Sequence, residues 1–194
     1  MQIYVRAALW SGVLGAVVSL WATAAEAQTL TANATLAPAG SNAYSITLNN
    51  TSATATIGTF WYAWIPGQDY MSVLPTNIAS PPGWTDLVTG SGGASDGYAI
   101  QWKATSSADY LAAGSSLSGF SFDSTLSSAQ LTTGSSPYFS HPATETSFVY
   151  NQAPFSAQSY QFVVDPVPDL HLCLGGCWCW RLAGRARLAS AFER

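Results

Sequence analysis

The sequence predicts an all-β fold: an antiparallel β-sandwich of the jelly-roll or immunoglobulin-like kind, preceded by a helical signal peptide. Three observations predict it. Apolar and polar residues alternate over short runs, the period of a half-buried strand. Gly, Pro, Ser and Asn punctuate those runs at short intervals, as in sandwiches with many short strands. Helical periodicity is weak throughout the central region. The chain divides into three parts: residues 1–27, a central domain over 28–166, and a compositionally different tail over 167–194.

In residues 1–27, Arg6 is the only charge before a long apolar run from Ala7 to Ala25. Ala25-Glu26-Ala27 then supplies the small-x-small pattern of a signal-peptidase site, which predicts export and a mature chain beginning at Gln28. The run is about long enough to span a bilayer, so an uncleaved anchor is the competing reading.

In the central domain, Leu30, Ala32, Ala34 and Leu36 alternate with polar residues, and so do Tyr44, Ile46 and Leu48. Each run predicts a strand, with Asn49 to Ser52 as the turn that follows. Thr56 to Ile65 is apolar on both sides. Strict alternation puts Ile57, Trp61, Ala63 and Ile65 on one face and Phe60, Tyr62 and Trp64 on the other. Such a strand is buried on both faces, or buried on one and binding something with the other. Residues 66–83 hold four prolines and no period, which predicts a long loop of the sort that often carries function. Trp84 to Val88 predicts a short strand, and Gly90 to Gly97 a flexible turn. Tyr98, Ile100 and Trp102 alternate with Ala99, Gln101 and Lys103, placing Lys103 toward solvent. Further strands are predicted at Ser116–Phe122, Ser147–Tyr150 and Tyr160–Val164. The expected core comprises Leu36, Tyr44, Ile46, Leu48, Ile57, Trp61, Ile65, Ile100, Trp102, Leu117, Phe120, Phe122, Phe148, Tyr150, Phe162 and Val164.

Charged residues make up 8 % of the 194-residue chain, against roughly 25 % in an average soluble protein. From Gln28 to Pro168 there are seven acids (Asp69, Asp86, Asp96, Asp109, Asp123, Glu145 and Asp165) and one base, Lys103, a net charge of −6. Nucleic-acid binding is excluded, because phosphate neutralisation needs clustered Lys and Arg. Disorder across the chain is excluded too, since aromatics make up 13 % of it. The domain has no cysteine, so its stability rests on its own core.

No catalytic constellation is legible. The one histidine of the domain, His141, sits in a Ser-His-Pro loop sequence, and Gly114 to Ser118 lacks the final glycine of a nucleophile elbow. The seven acids are scattered singly in turn-like contexts, which reads as turn chemistry, with a carboxylate pair for sugar hydrolysis as the alternative. A calcium site from Asp69, Asp86, Asp96 or Asp109 is chemically conceivable, but no EF-hand run supports it. In the tail, His171, Cys173, Cys177 and Cys179 are soft-metal ligands at a spacing that matches no zinc pattern. Gly90 to Gly93 lacks the Lys and Ser/Thr of a phosphate loop. No metal, cofactor or catalytic residue is therefore assigned. The tryptophans remain. Trp61, Trp64, Trp84 and Trp102 are many for a domain of this size. Core packing is the plainer reading, and Trp64 and Trp84 are the candidates for stacking on a glycan.

The strings TFWYAWIPGQDYM (59–71), PPGWTDLVTG (81–90), DGYAIQW (96–102), LAAGSSLSGFSF (111–122) and SFVY (147–150) resemble, in order and content, exported bacterial PEP-CTERM proteins, the cargo of exosortase sorting systems. The resemblance covers about residues 1–168 and brings no catalytic residues. It implies a non-enzymatic protein at the Gram-negative cell surface or in the extracellular matrix, with exopolysaccharide or other surface proteins as partners. A carbohydrate-binding module and a secreted glycan hydrolase are the alternatives. Members end in Val-Pro-Glu-Pro, an apolar span and an Arg-rich tail. Here Val167-Pro168 is followed by Asp169-Leu170, then a segment too short and too interrupted by Gly175, Gly176 and Arg181 to span a membrane. A one-base shift of reading frame would produce such a departure, and the expectation is a tail that no longer anchors.

Overall fold

The computed structural model describes residues 29–93, 96–133 and 141–167. The leader-like segment 1–27, His171 and the three cysteines lie outside the described residues, as does the expected loss of anchoring. The twelve described strands are β1 (Ala32–Pro38), β2 (Ala43–Asn50), β3 (Thr59–Tyr62), β4 (Trp64–Ile65), β5 (Gln68–Asp69), β6 (Thr76–Ala79), β7 (Trp84–Gly93), β8 (Asp96–Ala104), β9 (Ser116–Asp123), β10 (Ser147–Tyr150), β11 (Ser159–Phe162) and β12 (Val164–Pro166). The described helical content is one short helix, α1 (Ser128–Thr133), and two 3-10 turns.

Two five-stranded sheets form the sandwich, in the orders β12-β1-β2-β9-β6 and β11-β10-β3-β8-β7, with β4 and β5 as a small separate hairpin. Every pairing is antiparallel except that of β1 with β12. The alternation in β1 and β2 is realised: Ala34, Leu36, Ile46 and Leu48 are buried between the sheets while their neighbours point outward.

Phe60 and Trp102 of the second sheet stack at 5.4 Å, and Phe120 of the first sheet meets them edge-on at 5.5 and 5.3 Å. Several polar tips inside the core are paired, while the buried Tyr62 and Ser147 hydroxyls have no hydrogen-bond partner. Tyr44 Oη donates to the Leu126 carbonyl at 2.6 Å, and Trp102 Nε1 to Ala79 O at 3.1 Å. Buried Asn50 closes the turn after β2. Its Nδ2 donates to Ala55 O and Leu111 O at 2.8 and 3.0 Å, while its Oδ1 accepts from Ser52 N at 3.0 Å.

The structure departs from the sequence expectations at five places. First, the expected loop over 66–83 contains β5 and β6, and β6 closes the edge of the first sheet against β9 with a register irregularity. Second, β7 runs beyond Val88 to Gly93, so much of the expected flexible turn is hairpin. Gly90 permits this. At φ +96° it lies where a Cβ would stand 2.0 Å from Gly97 O and 2.7 Å from Asp69 Oδ2, a close backbone approach that only glycine allows.

Third, the strand expected at 160–164 divides: Phe162 belongs to the second sheet and Val164 to the first. Fourth, the strict alternation from Ile57 to Ile65 ends at Ala63, which takes φ +57°. That left-handed residue separates β3 from β4 and turns Trp64 to the side of Trp61. Fifth, Ile65, Leu117 and Phe148 are only half-buried, and Trp61 and Tyr150 belong to a second cluster apart from the main core.

Candidate binding face

The second sheet gives one face to the core. Directly opposed residues share a face. The register therefore aligns Phe148, Trp61, Gln101 and Leu87 in one outward row across β10, β3, β8 and β7. Tyr150, Thr59, Lys103 and Thr85 form the next row. On β3, Phe60 and Tyr62 fill the core, leaving Trp61 outward.

An aromatic pile stands on this face. Trp64 stacks on Trp61 with ring centroids 4.4 Å apart and planes at 19°. Two hydrogen bonds fix the turn that brings it there: Trp64 N donates to Thr146 O at 2.6 Å, and Tyr70 N to Ala63 O at 2.8 Å. Phe148 meets Trp64 edge-on at 5.7 Å. Phe155, from the loop between β10 and β11, lies 6.0 Å from Trp61 at 22° and meets Tyr150 edge-on at 5.3 Å. Trp61 is 4 % exposed and Phe155 53 %, so the pile has a buried floor and an open edge. Trp64 is half-buried between them. The indole Nε1 of Trp61 is buried and has no hydrogen-bond partner, an unmet donor of the kind that costs about 1–3 kcal/mol.

Of the two tryptophans proposed from sequence as stacking platforms, the structure brings Trp64 to this face and keeps Trp84 away from it. Trp84 is 6 % exposed, packs edge-on against Phe120 at 5.4 Å and donates Nε1 to Asp109 O at 3.1 Å. It begins β7 with its ring turned into the core, so the expectation of a solvent-facing ring is corrected. Phe148 and Phe155 were missed. Phe148 was readable, because Ser147 to Tyr150 pairs two apolar faces in four residues. Phe155 stands in a loop sequence with no such signal.

The acids are placed as follows. Asp69 and Asp96, expected to be single, are neighbours: Asp69 N donates to Asp96 Oδ1 at 3.1 Å, and Thr89 Oγ1 donates to Asp69 Oδ1 at 3.2 Å. Burial, then the Asp96 charge, pushes the Asp69 carboxyl up to about 6, with the Thr89 bond opposing. Asp109 is half-buried, and hydroxyl bonds from Ser106 and Thr105 hold its carboxyl below the usual range. Asp86 accepts from Ser80, and Asp123 from Asn77. Among the described residues no three His, Cys, Asp or Glu side chains converge as metal ligands. His141 is exposed, its ring 5.9 Å from that of Tyr70. No described helix is long and apolar enough to cross a membrane.

No family model matches the chain, and no curated protein matches it. Two solved structures share the sandwich at low similarity. An uncharacterised protein from Nocardia farcinica with an immunoglobulin-like fold is 17 % identical, covering 70 % of this chain and 99 % of its own, at a TM-score of 0.33. The biomass-sensoring module of the Rsgi2 protein of Clostridium thermocellum, which resembles family 3 carbohydrate-binding modules of the cellulosome, is 16 % identical, covering 70 % and 88 %, at a TM-score of 0.34.

Proposed function

We propose that this chain is an exported, non-catalytic surface or matrix protein whose β-sandwich domain makes its contact through the aromatic face of the second sheet. The observation that carries the reading is the pile of Trp61, Trp64 and Phe155 outside the core, with Phe155 53 % exposed. Large aromatics set on an outer sheet face where the fold does not require them mark contact surfaces. Export is supported by the leader pattern ending at Ala27, and exosortase sorting by the resemblance over residues 1–168. Binding is favoured over turnover by the way the Asp69–Asp96 pair is used. Asp96 accepts from the main chain and Asp69 is 6 % exposed, accepting from Thr89, so both are tied into a hairpin instead of lining a cleft.

Expression of the full chain in a Gram-negative host tests this. The expected result is a mature N-terminus at Gln28 and retention on the cell envelope or matrix that falls several-fold in a Trp64→Ala/Phe155→Ala variant. Retention unchanged by that double substitution would remove the aromatic face from the reading. A chain left in the cytoplasm would remove export.

A further inference from the structure

We infer that the aromatic face is a saccharide site, selective for neutral polysaccharides, in which a sugar ring lies against Trp64 and Phe155 and one of its oxygens accepts the Trp61 N–H. This deepens the reading above and rests on it.

Three observations choose the occupant. The first is ring geometry. The Trp64 and Phe155 centroids lie 6.4 Å apart with planes at 39°, a shallow aromatic trough floored by Trp61. The C–H face of a pyranose is apolar and flat enough to lie on such rings, while its rim of hydroxyls stays solvated. The second is the unmet donor. Trp61 Nε1 is buried under the pile and pairs with nothing, so an arriving oxygen acceptor satisfies a group the fold leaves unsatisfied. Phe155, whose ring lies 6.0 Å from that of Trp61, is carried by a loop and not by a strand, so it can shift without breaking the ladder of the sheet.

The third is charge. The two outward rows defined by register hold one ionic group, Lys103, and no carboxylate; of their polar members Gln101 and Thr59 are buried and Thr85 is exposed. Gln161, exposed, extends the first row through its pairing with Phe148. Amide and hydroxyl groups are the partners of sugar hydroxyls. The nearest acid, Asp69 opposite Trp64, is 6 % exposed and already accepts from Thr89, so it is closed to a cationic protein. A polyanion is repelled by the domain, whose net charge from Gln28 to Pro168 is −6. The remaining partner with apolar ring faces and many acceptors is an uncharged glycan.

The test is affinity electrophoresis and titration calorimetry of the mature chain against four soluble neutral polysaccharides (barley β-glucan, xyloglucan, galactomannan and dextran), with alginate as the anionic control. The expected result is retardation by at least one neutral polymer and none by alginate. Phe155→Ala should weaken that binding at least tenfold, Trp64→Phe should keep part of it, and both variants should melt close to the parent. Retardation by none of the four overturns the assignment, and so does binding that survives Trp64→Ala/Phe155→Ala. Sedimentation of the same samples covers the other occupant: a dimer dispersed by the double substitution, without glycan binding, makes the face a self-association surface. If envelope retention depends on the two rings but no polysaccharide binds, the contact-surface reading stands and the glycan assignment falls. If retention is also unaffected, both fall.

Discussion

Replacing Asp69 by Asn should make the domain more stable at neutral pH and should abolish a pH dependence that runs opposite to ordinary acid denaturation. Asp69 is 6 % exposed, and burial and Asp96 raise its carboxyl from 3.8 to about 6. A carboxyl raised in the folded state binds its proton before the unfolded chain does. Its contribution to stability is therefore fully present below about pH 4 and lost as pH rises through 6. A shift of about two units corresponds to about 3 kcal/mol. The carboxylate lies beside a surface hairpin, so solvent screening reduces this to about 1–2 kcal/mol. Asn can keep the Thr89 bond, which enters at Oδ1 over 3.2 Å, and it removes the charge that faces Asp96. Urea unfolding of parent and variant at several pH values between 4.5 and 7.5 is the assay. The variant should gain about 1–2 kcal/mol at pH 7.5, and the gain should shrink steadily toward pH 4.5. Taking the difference between the two proteins cancels the titration of every other group. A difference that stays constant across the range, or a variant weaker than the parent at pH 7.5, would refute the burial argument.

Gly90→Ala should cost about 2–4 kcal/mol in the same assay. The new Cβ meets Gly97 O at 2.0 Å and Asp69 Oδ2 at 2.7 Å, and the residue must hold φ +96°. Phe120→Ala should cost about 3–5 kcal/mol, because it empties the meeting point of the Phe60, Trp84 and Trp102 rings; loss of the near-UV circular dichroism of the tryptophans should accompany it. Asn50→Ala strands two buried carbonyls and one amide, those of Ala55, Leu111 and Ser52, and should lower the unfolding free energy by about 2–4 kcal/mol.

The main core was readable because its rule is local. β1 and β2 follow period-two alternation from end to end, and no residue in them leaves the extended region, so the buried face follows from residue order alone. The same rule applied to Thr56–Ile65 fails through one dihedral. With Ala63 at φ +57°, every side chain beyond it changes face, and Trp64 lands on Trp61 instead of beside Phe60 and Tyr62. Alanine carries no signal for that conformation, as glycine or asparagine would. Stacking and backbone bonds offset the local cost: Trp64 meets Trp61 at 4.4 Å, and the Ala63 and Thr146 carbonyls each accept a hydrogen bond at the turn.

Trp84, left between core packing and stacking by the sequence, was undecided for a different reason. Its burial depends on Phe120 of the other sheet and on the Asp109 carbonyl, both distant in sequence, and neither contact can be read from local periodicity. The Asp69–Asp96 contact depends on a hairpin whose glycines looked like slack and are close approaches. In each case the missing information is a contact between segments distant in sequence. The aromatic face is the sharpest instance, since it joins β3, β4, β10 and the Phe155 loop. A left-handed alanine that brings two indoles together outside the main core ties the strand break to the surface it creates. Restoring regular alternation by shortening this turn should therefore cost the face before it costs the fold.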